Sequence, residues 1–154
     1  MSGVIGTKTL VQVGFVVKDI ETTKRKFAQF FGVPVPEHFD AGKYEVTKTE
    51  YMGKPNPDAN CLMAFFDAGE GVQIELIQPN GKKSVWQDFL DKHGEGFHHI
   101  AFKVKGMGEK IAACEEFGMK CVQRGEFGSG DGRYAYLDAY DDLKCLIELL
   151  ESDK

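Results

Sequence analysis

The stretch QVGFVVKDIETTKRKFAQFFGV, residues 12–33, aligns with HIAFKVKGMGEKIAACEEFGM, residues 99–119, with one residue fewer in the second copy. Two further matches follow in the same order: FFDA (65–68) with YLDA (136–139), and IELI (74–77) with IELL (147–150). Matches that keep their order through both halves are the mark of a duplicated structural unit. The chain therefore reads as two copies of one module, about 9–80 and 97–151, joined by a helical linker over 81–96. Its 154 residues suit a single domain, 1–154, and are too few for two independent domains of ordinary size.

Each copy reads as a strand, a helix and three further strands, an α+β pattern of two tandem βαβββ modules. The opening strands, LVQVGFVV (10–17) and HHIAFKV (98–104), are rich in Val, Ile and Phe. Asp19 is an N-cap for the first helix, which sets Ile20, Phe27, Phe30 and Phe31 on one face and stops at Gly32. The second helix places Met107, Ile111, Cys114 and Phe117 at spacings of three and four and stops at Gly118. Strands are expected over 44–51, 62–67 and 72–78, then over 120–126, 133–138 and 144–150. In SVWQDFLDKHG (84–94), Ser84 and Gln87 form a capping box and His93 with Gly94 closes the helix. MGKPNPDAN (52–60) has the composition of a loop.

With 24 acidic against 19 basic residues the net charge is −5, and the longest basic cluster is KRK at 24–26, expected on a solvated helix face. That balance speaks against nucleic acid as a partner. Cys61, Cys114, Cys121 and Cys145 form no C-x-x-C pair and are expected as reduced, packed thiols. No apolar run reaches membrane-spanning length, and MSGVIG lacks a charged start and an apolar core, so a cytoplasmic protein without a membrane partner is expected.

Strand alternation separates candidate chemistry from packing. His98, Ile100, Phe102 and Val104 fall on one face of their strand, expected under the helix, and His99, Ala101 and Lys103 on the other. In the first copy the matching face carries Gln12, Gly14 and Val16. Glu75 and Glu148 stand at equivalent places in the closing strands, between apolar neighbours. A buried carboxylate is costly unless it is paired, protonated or bound to a metal. If both sheets curve around one cleft, Gln12, Glu75, His99 and Glu148 converge on one ion. One imidazole and three oxygens suit a divalent metal such as cobalt, nickel, zinc or manganese. Each of these residues alone has an ordinary structural reading; their matched repeat positions give them a common one. His98 reads as packing, His93 as favouring a helix C-terminus, and His38 has no evident partner.

The doubled module, with QVGFVV and HIAF opening the copies and IELI and IELL closing them, resembles the vicinal oxygen chelate superfamily of glyoxalases, bleomycin-resistance proteins and dioxygenases over nearly the whole chain. GEGFHHIAFKV, preceded by VWQDFL, is most similar to its methylmalonyl-CoA epimerase-like branch. The resemblance implies a cup-shaped mixed sheet and a divalent metal that stabilises an enolate, with Gln12, Glu75, His99 and Glu148 as ligands. It implies an epimerase or racemase acting on a small-molecule carbonyl substrate, either an acyl-CoA or an aromatic ketone such as dihydrodaidzein. Glu148 is then one acid/base group and Asp58 the other. Epimerases of this branch usually carry histidine at the position of Gln12, and the present set is similar to that of eukaryotic-type glyoxalase I, which makes a lactoylglutathione lyase the alternative. A non-catalytic resistance-type binder is a third reading, against which the paired carboxylates speak. Extradiol dioxygenase chemistry uses two histidines and a carboxylate, a triad that Gln12 breaks. The resemblance also implies a homodimer. Lys82, Lys83, Lys103 and Lys105, the candidates for meeting CoA phosphates, are scattered.

Overall fold

In the computed structural model, which describes residues 3–154 and leaves Met1 and Ser2 of the MSGVIG stretch outside the described residues, the alternating Val and Phe of the first copy form β1 (Leu10–Val16). Helix α1 (Ile20–Phe31) follows, with the Asp19 carboxylate accepting from Thr22 N at 3.2 Å and Gly32 ending it at φ 71°. That left-handed conformation is cheap only for glycine. Ile20 and Ala28 are buried on the expected face, but Phe30 is 82% exposed, because at about 100° per residue it lies roughly a quarter turn off the apolar stripe. Lys24, expected in solvent within KRK, is instead buried, its Nζ 2.9 Å from His38 Nδ1 and 3.1 Å from Glu21 Oε2.

The first copy then departs from its repeat. The strand expected over 44–51 is replaced by β2 (Phe39–Asp40), a single helical turn α2 (Tyr44–Thr47) and β3 (Glu50–Tyr51), and the loop expected over 52–60 includes β4 (Lys54–Pro55). The polar–apolar alternation of YEVTKTEY imitates a strand. Lys48 adopts φ 49°, which ends the helical turn, and the hydroxyls of the buried Thr47 and Thr49 meet at 3.0 Å. The segment crosses to the second copy, where β3 pairs with its strand β8 (Lys120–Glu126). Backbones touch on the way: a Cβ on Gly128 would lie 2.7 Å from the Ala41 carbonyl oxygen.

The remaining elements follow the expected order: β5 (Cys61–Asp67), β6 (Gln73–Pro79), the linker helix α3 (Val85–His93), β7 (Gly96–Lys103), α4 (Met107–Glu116), β8, β9 (Gly132–Asp138), a helical turn α5 (Tyr140–Leu143) and β10 (Leu146–Ser152). Ser84 caps α3, accepting from Gln87 N at 3.0 Å. Phe117, expected inside the apolar face of α4, lies beyond its last residue and is exposed.

The ten strands of the described residues make one curled mixed sheet in the order β2-β5-β6-β1-β7-β10-β9-β8-β3-β4. β1 pairs in parallel with β6 and β7 in parallel with β10, while β1 and β7 meet antiparallel at the centre. α1 packs on one half over Val17, Phe66 and Leu76, and α4 on the other over Leu137, Ile147 and Leu149. α3 lies against the opposite, concave face, with Trp86 and Phe89 among Val16, Ile77 and Leu146. The four cysteines are free, three of them buried. Among the described residues no helix is long and apolar enough to cross a membrane.

Leu76 is fully buried beneath α1, so Leu76→Ala is expected to cost about 2–5 kcal/mol in denaturant unfolding. Phe30→Ser, on the exposed side of the same helix, is expected to stay within about 0.5 kcal/mol.

Candidate metal centre

The seam between β1 and β7 sets the site. In one row across the sheet Gly14 lies between Glu75 on β6 and His99 on β7; in the neighbouring row Ala101 lies between Gln12 on β1 and Glu148 on β10. The two smallest side chains alternate with the four polar ones, so the polar groups lean together over a floor of glycine and alanine. Gly14 is indispensable to this: a Cβ built on it would fall inside the His99 ring. The repeat fixes the pattern, since Gly14 and Ala101 occupy equivalent places in the two copies.

The result is a tight, buried cluster. The Gln12 side-chain atom facing it lies 2.8 Å from His99 Nε2, 3.0 Å from Glu148 Oε1 and 3.2 Å from Glu75 Oε1. His99 Nε2 is 3.2 Å from Glu148 Oε1 and 3.3 Å from Glu75 Oε1. Ligands bound to one ion at about 2.0–2.2 Å, roughly at right angles, stand about 3 Å apart, so these separations fit a divalent cation. The amide of Gln12 carries the same message. With its oxygen turned inward it faces the Glu75 and Glu148 oxygens and accepts from His99 Nε2 only while the imidazole is protonated, an arrangement a cation would reconcile, while its NH2 donates to Gln73 Oε1 at 2.8 Å. Turned over, its NH2 would donate to the two carboxylates instead.

Charge in so dry a place shifts proton affinities. Burial, and then Glu148, raise the Glu75 carboxyl above its ordinary range, against the opposing pull of His99. Burial alone would lower His99, but Glu148 and Glu75 outweigh it and raise the imidazole to about 9. His98 goes the other way: burial and the neighbouring His99 hold it well below its ordinary value, so it is neutral.

The expected separation of the two histidines onto opposite faces is corrected by the backbone. Gly14 pairs with His99 but Phe15 with Phe97, so His98 is an extra residue in β7 and the alternation breaks there. Its ring turns to the concave side, edge-on to Phe89 of α3 at 5.0 Å, and its Nδ1 lies 2.9 Å from Nδ1 of His99. For His99 Nε2 to offer a lone pair to an ion, its Nδ1 must carry the proton and donate it to His98 Nδ1. The His98 proton then sits on Nε2, a buried atom without a hydrogen bond of ordinary geometry among the described residues, although the Val85 backbone acts weakly on the ring.

A cavity of about 540 Å³ opens over the cluster. Gln12, Glu75 and Glu148 form part of its wall, with Phe65, Tyr134 and Tyr136 beside them. Asp58 is not brought there: it lies exposed in the turn after β4, its backbone carbonyl accepting from Asn80 Nδ2 at 3.0 Å. The sequence also left unread the far wall, Phe39 and Asp40 of β2 and Phe127 after β8, since the first belongs to the irregular segment and the last to a turn. His93 stacks on Tyr140 at 4.4 Å, away from the cluster.

A family model described as the Glyoxalase/Bleomycin resistance protein/Dioxygenase superfamily matches residues 11–136. The uncharacterized protein YqjC of Bacillus subtilis (strain 168) is 33% identical over 90 residues, 58% of this chain; the match spans 64% of that protein's length. Among solved structures, a hypothetical protein from Bacillus halodurans C-125 superposes with a TM-score of 0.66 at 24% identity, over 95% of each chain. Methylmalonyl-CoA epimerase from Mycobacterium tuberculosis gives 0.63 at 22%, covering 93% of this chain and 87% of its own. The Streptomyces coelicolor methylmalonyl-CoA epimerase, in complex with 2-nitronate-propionyl-CoA, gives 0.65 at 20%, covering 94% and 97%. At these identities the likeness is one of fold.

Two substitutions separate the parts of the cluster. His98→Phe keeps the packing under α3 but removes the partner of His99 Nδ1, and is expected to weaken divalent-metal binding by about 10–100-fold in isothermal titration, with His98→Asn recovering part of it. Gly14→Ala drives a methyl group into the His99 ring and is expected to lose metal affinity by at least as much.

Proposed function

The chain belongs to the Glyoxalase/Bleomycin resistance protein/Dioxygenase superfamily, and from that membership and its buried cluster we propose a metal-dependent epimerase or racemase, an isomerase that moves a proton at a carbon next to a carbonyl. One observation carries the reading: two buried carboxylates, Glu75 and Glu148, reach the same point from strands on opposite sides of the β1–β7 seam, at the base of a cavity. Sequestration of a ligand needs no such pair, whereas inversion at a carbon needs a base on one face and an acid on the other.

In this reading Gln12, Glu75, His99 and Glu148 hold a divalent ion, cobalt, nickel, zinc or manganese, which supplies a Lewis acid for the enolate oxygen. Glu148, on the cavity wall, removes the proton; the C–H electron pair becomes the carbon–carbon double bond of the enolate. With Asp58 outside the cavity, the second acid/base role falls to Glu75. A proton taken up from solvent by that carboxylate would pass to the opposite face of the enolate while the one on Glu148 returns to solvent, leaving the substrate inverted and nothing oxidised or reduced. His98, through Nδ1 of His99, keeps the imidazole oriented. Trp86, donating to the Tyr136 hydroxyl at 3.1 Å, fixes the wall beside Glu148 and helps to exclude water.

The substrate in this proposal is a small carbonyl compound, an acyl-CoA like those of the structurally similar epimerases or an aromatic ketone. The two modules, about 9–80 and 97–151 with the linker 81–96, act as one unit; we propose a cytoplasmic homodimer. A glyoxalase I-type lyase is the second reading, which the composition Gln, Glu, His, Glu favours.

Exchange distinguishes them. Incubated in D2O with a racemisable carbonyl substrate, the metal-loaded protein is expected to wash deuterium into the acidic carbon without forming a structural isomer. Glu148→Gln and Glu75→Gln are each expected to slow this by about 10²–10⁴-fold, and chelation of the metal to abolish it. Turnover of the methylglyoxal–glutathione hemithioacetal, with no exchange elsewhere, would establish the lyase instead.

A further inference from the structure

The cavity wall over the cluster speaks to what the substrate carries. Its charged side chains are Asp40, Glu75, Glu126 and Glu148, all carboxylates. Glu75 and Glu148 together cancel a divalent ion, since the Gln12 amide and a neutral His99 add no charge. A loaded site is thus electroneutral at its centre, with Asp40 and Glu126 adding negative potential above it. Glu126 is drawn toward Arg133, 3.4 Å away, but that guanidinium is also engaged by Glu151 at 3.0 Å and Asp153 at 2.8 Å. Lys83, one of the lysines considered for phosphates, is held by Asp88 at 3.1 Å on another face.

The apolar part of the wall is aromatic and follows the repeat. Phe65 stands beside Glu75 in the sheet register and Tyr136 beside Glu148. Each ring has an aromatic neighbour, Phe39 with Phe65 at 5.5 Å and Tyr134 with Tyr136 at 5.6 Å. One ring pair from each copy therefore flanks the ion site. A volume of about 540 Å³ matches a drug-sized molecule of a few rings.

Building on the proton-transfer reading above, we infer that the substrate is an uncharged aryl carbonyl compound, and that a carboxylate near the reacting carbon is selected against. The aromatic body lies between the two ring pairs, with its carbonyl over the cluster. A carboxylate in the same place would meet an already neutralised ion and two further carboxylates in a cavity of low dielectric. This sets the protein apart in specificity from the methylmalonyl-CoA epimerases it superposes on.

The test uses the full chain loaded with cobalt(II) and three probes: (R)-benzoin, its 2-carboxy derivative with the carboxylate ortho to the carbonyl, and methylmalonyl-CoA. Binding is read by quenching of Trp86, the single tryptophan, which lines the cavity. Turnover is read by loss of optical rotation and by deuterium uptake from D2O. Benzoin is expected to bind at least about tenfold more tightly than the carboxylated analogue, and the Asp40→Asn, Glu126→Gln double variant to narrow that ratio. Equal or tighter binding of the carboxylated probe would overturn the inference. Exchange on methylmalonyl-CoA with neither binding nor racemisation of benzoin would also overturn it, while leaving the epimerase reading in place. Selective binding of benzoin without any exchange would sustain the ligand class and remove the epimerase.

Discussion

The contact between the His99 ring and the bare backbone of Gly14 governs the rest of the site. Two central strands, one from each copy, run antiparallel, and their facing small residues leave room for four polar side chains to fold inward over them. Any side chain at position 14 would lift the imidazole and with it the geometry that brings Gln12, Glu75 and Glu148 close enough to share one ion. The floor is therefore part of the chemistry, although neither Gly14 nor Ala101 has a functional group. A duplicated module supplies it naturally, since a single small position per copy produces two at the seam.

The electrostatics explain why such a cluster needs so much structure around it. Two carboxylates at the base of a buried site repel each other and lose their water, and both effects push protons onto the group. The chain answers with an imidazole raised to about 9 between them, so that the assembly holds together by attraction to His99 in the absence of any other cation. To hold a divalent ion, as proposed, the same arrangement would give up a proton. His98 would let that exchange occur without the ring turning, because its own burial keeps it neutral and able to accept the hydrogen bond from His99 Nδ1.

Much of this was legible in the sequence because duplication turns weak local signals into paired ones. A lone Glu75 or Gln12 says little, but Glu148 and His99 at equivalent positions make each informative. Helix ends were readable from Asp19, Gly32 and Ser84, whose capping chemistry is local. What was not legible depended on backbone register. The extra residue at His98 has no compositional sign, so strict alternation sent that ring to the wrong face. The segment 44–51 alternates like a strand yet turns, because its partner is a strand from the other copy that no local pattern can announce. Asp58 followed an alignment through that same irregular region, and the structure leaves it in solvent.

That irregular segment also divides the labour within the cavity. The residues that face the ion site come from β1, β6, β7 and β10, which obey the repeat, and the floor beneath them cannot change without loss of the cluster. The far wall comes from β2 and the turn after it, pressed against Gly128 so closely that neither Gly42 nor Gly128 leaves room for a Cβ. The polar cluster is thus tied to symmetric, constrained strands, while the cavity wall combines rings from those strands, Phe65 and Tyr136, with Phe39 and Asp40 from the one stretch that breaks the symmetry. Substitutions in β2 are placed to reshape that wall without disturbing His99 and its partners. In the proposed reading the reaction belongs to the cluster over that floor, and the choice of substrate to a wall that the repeat and the irregular segment build together.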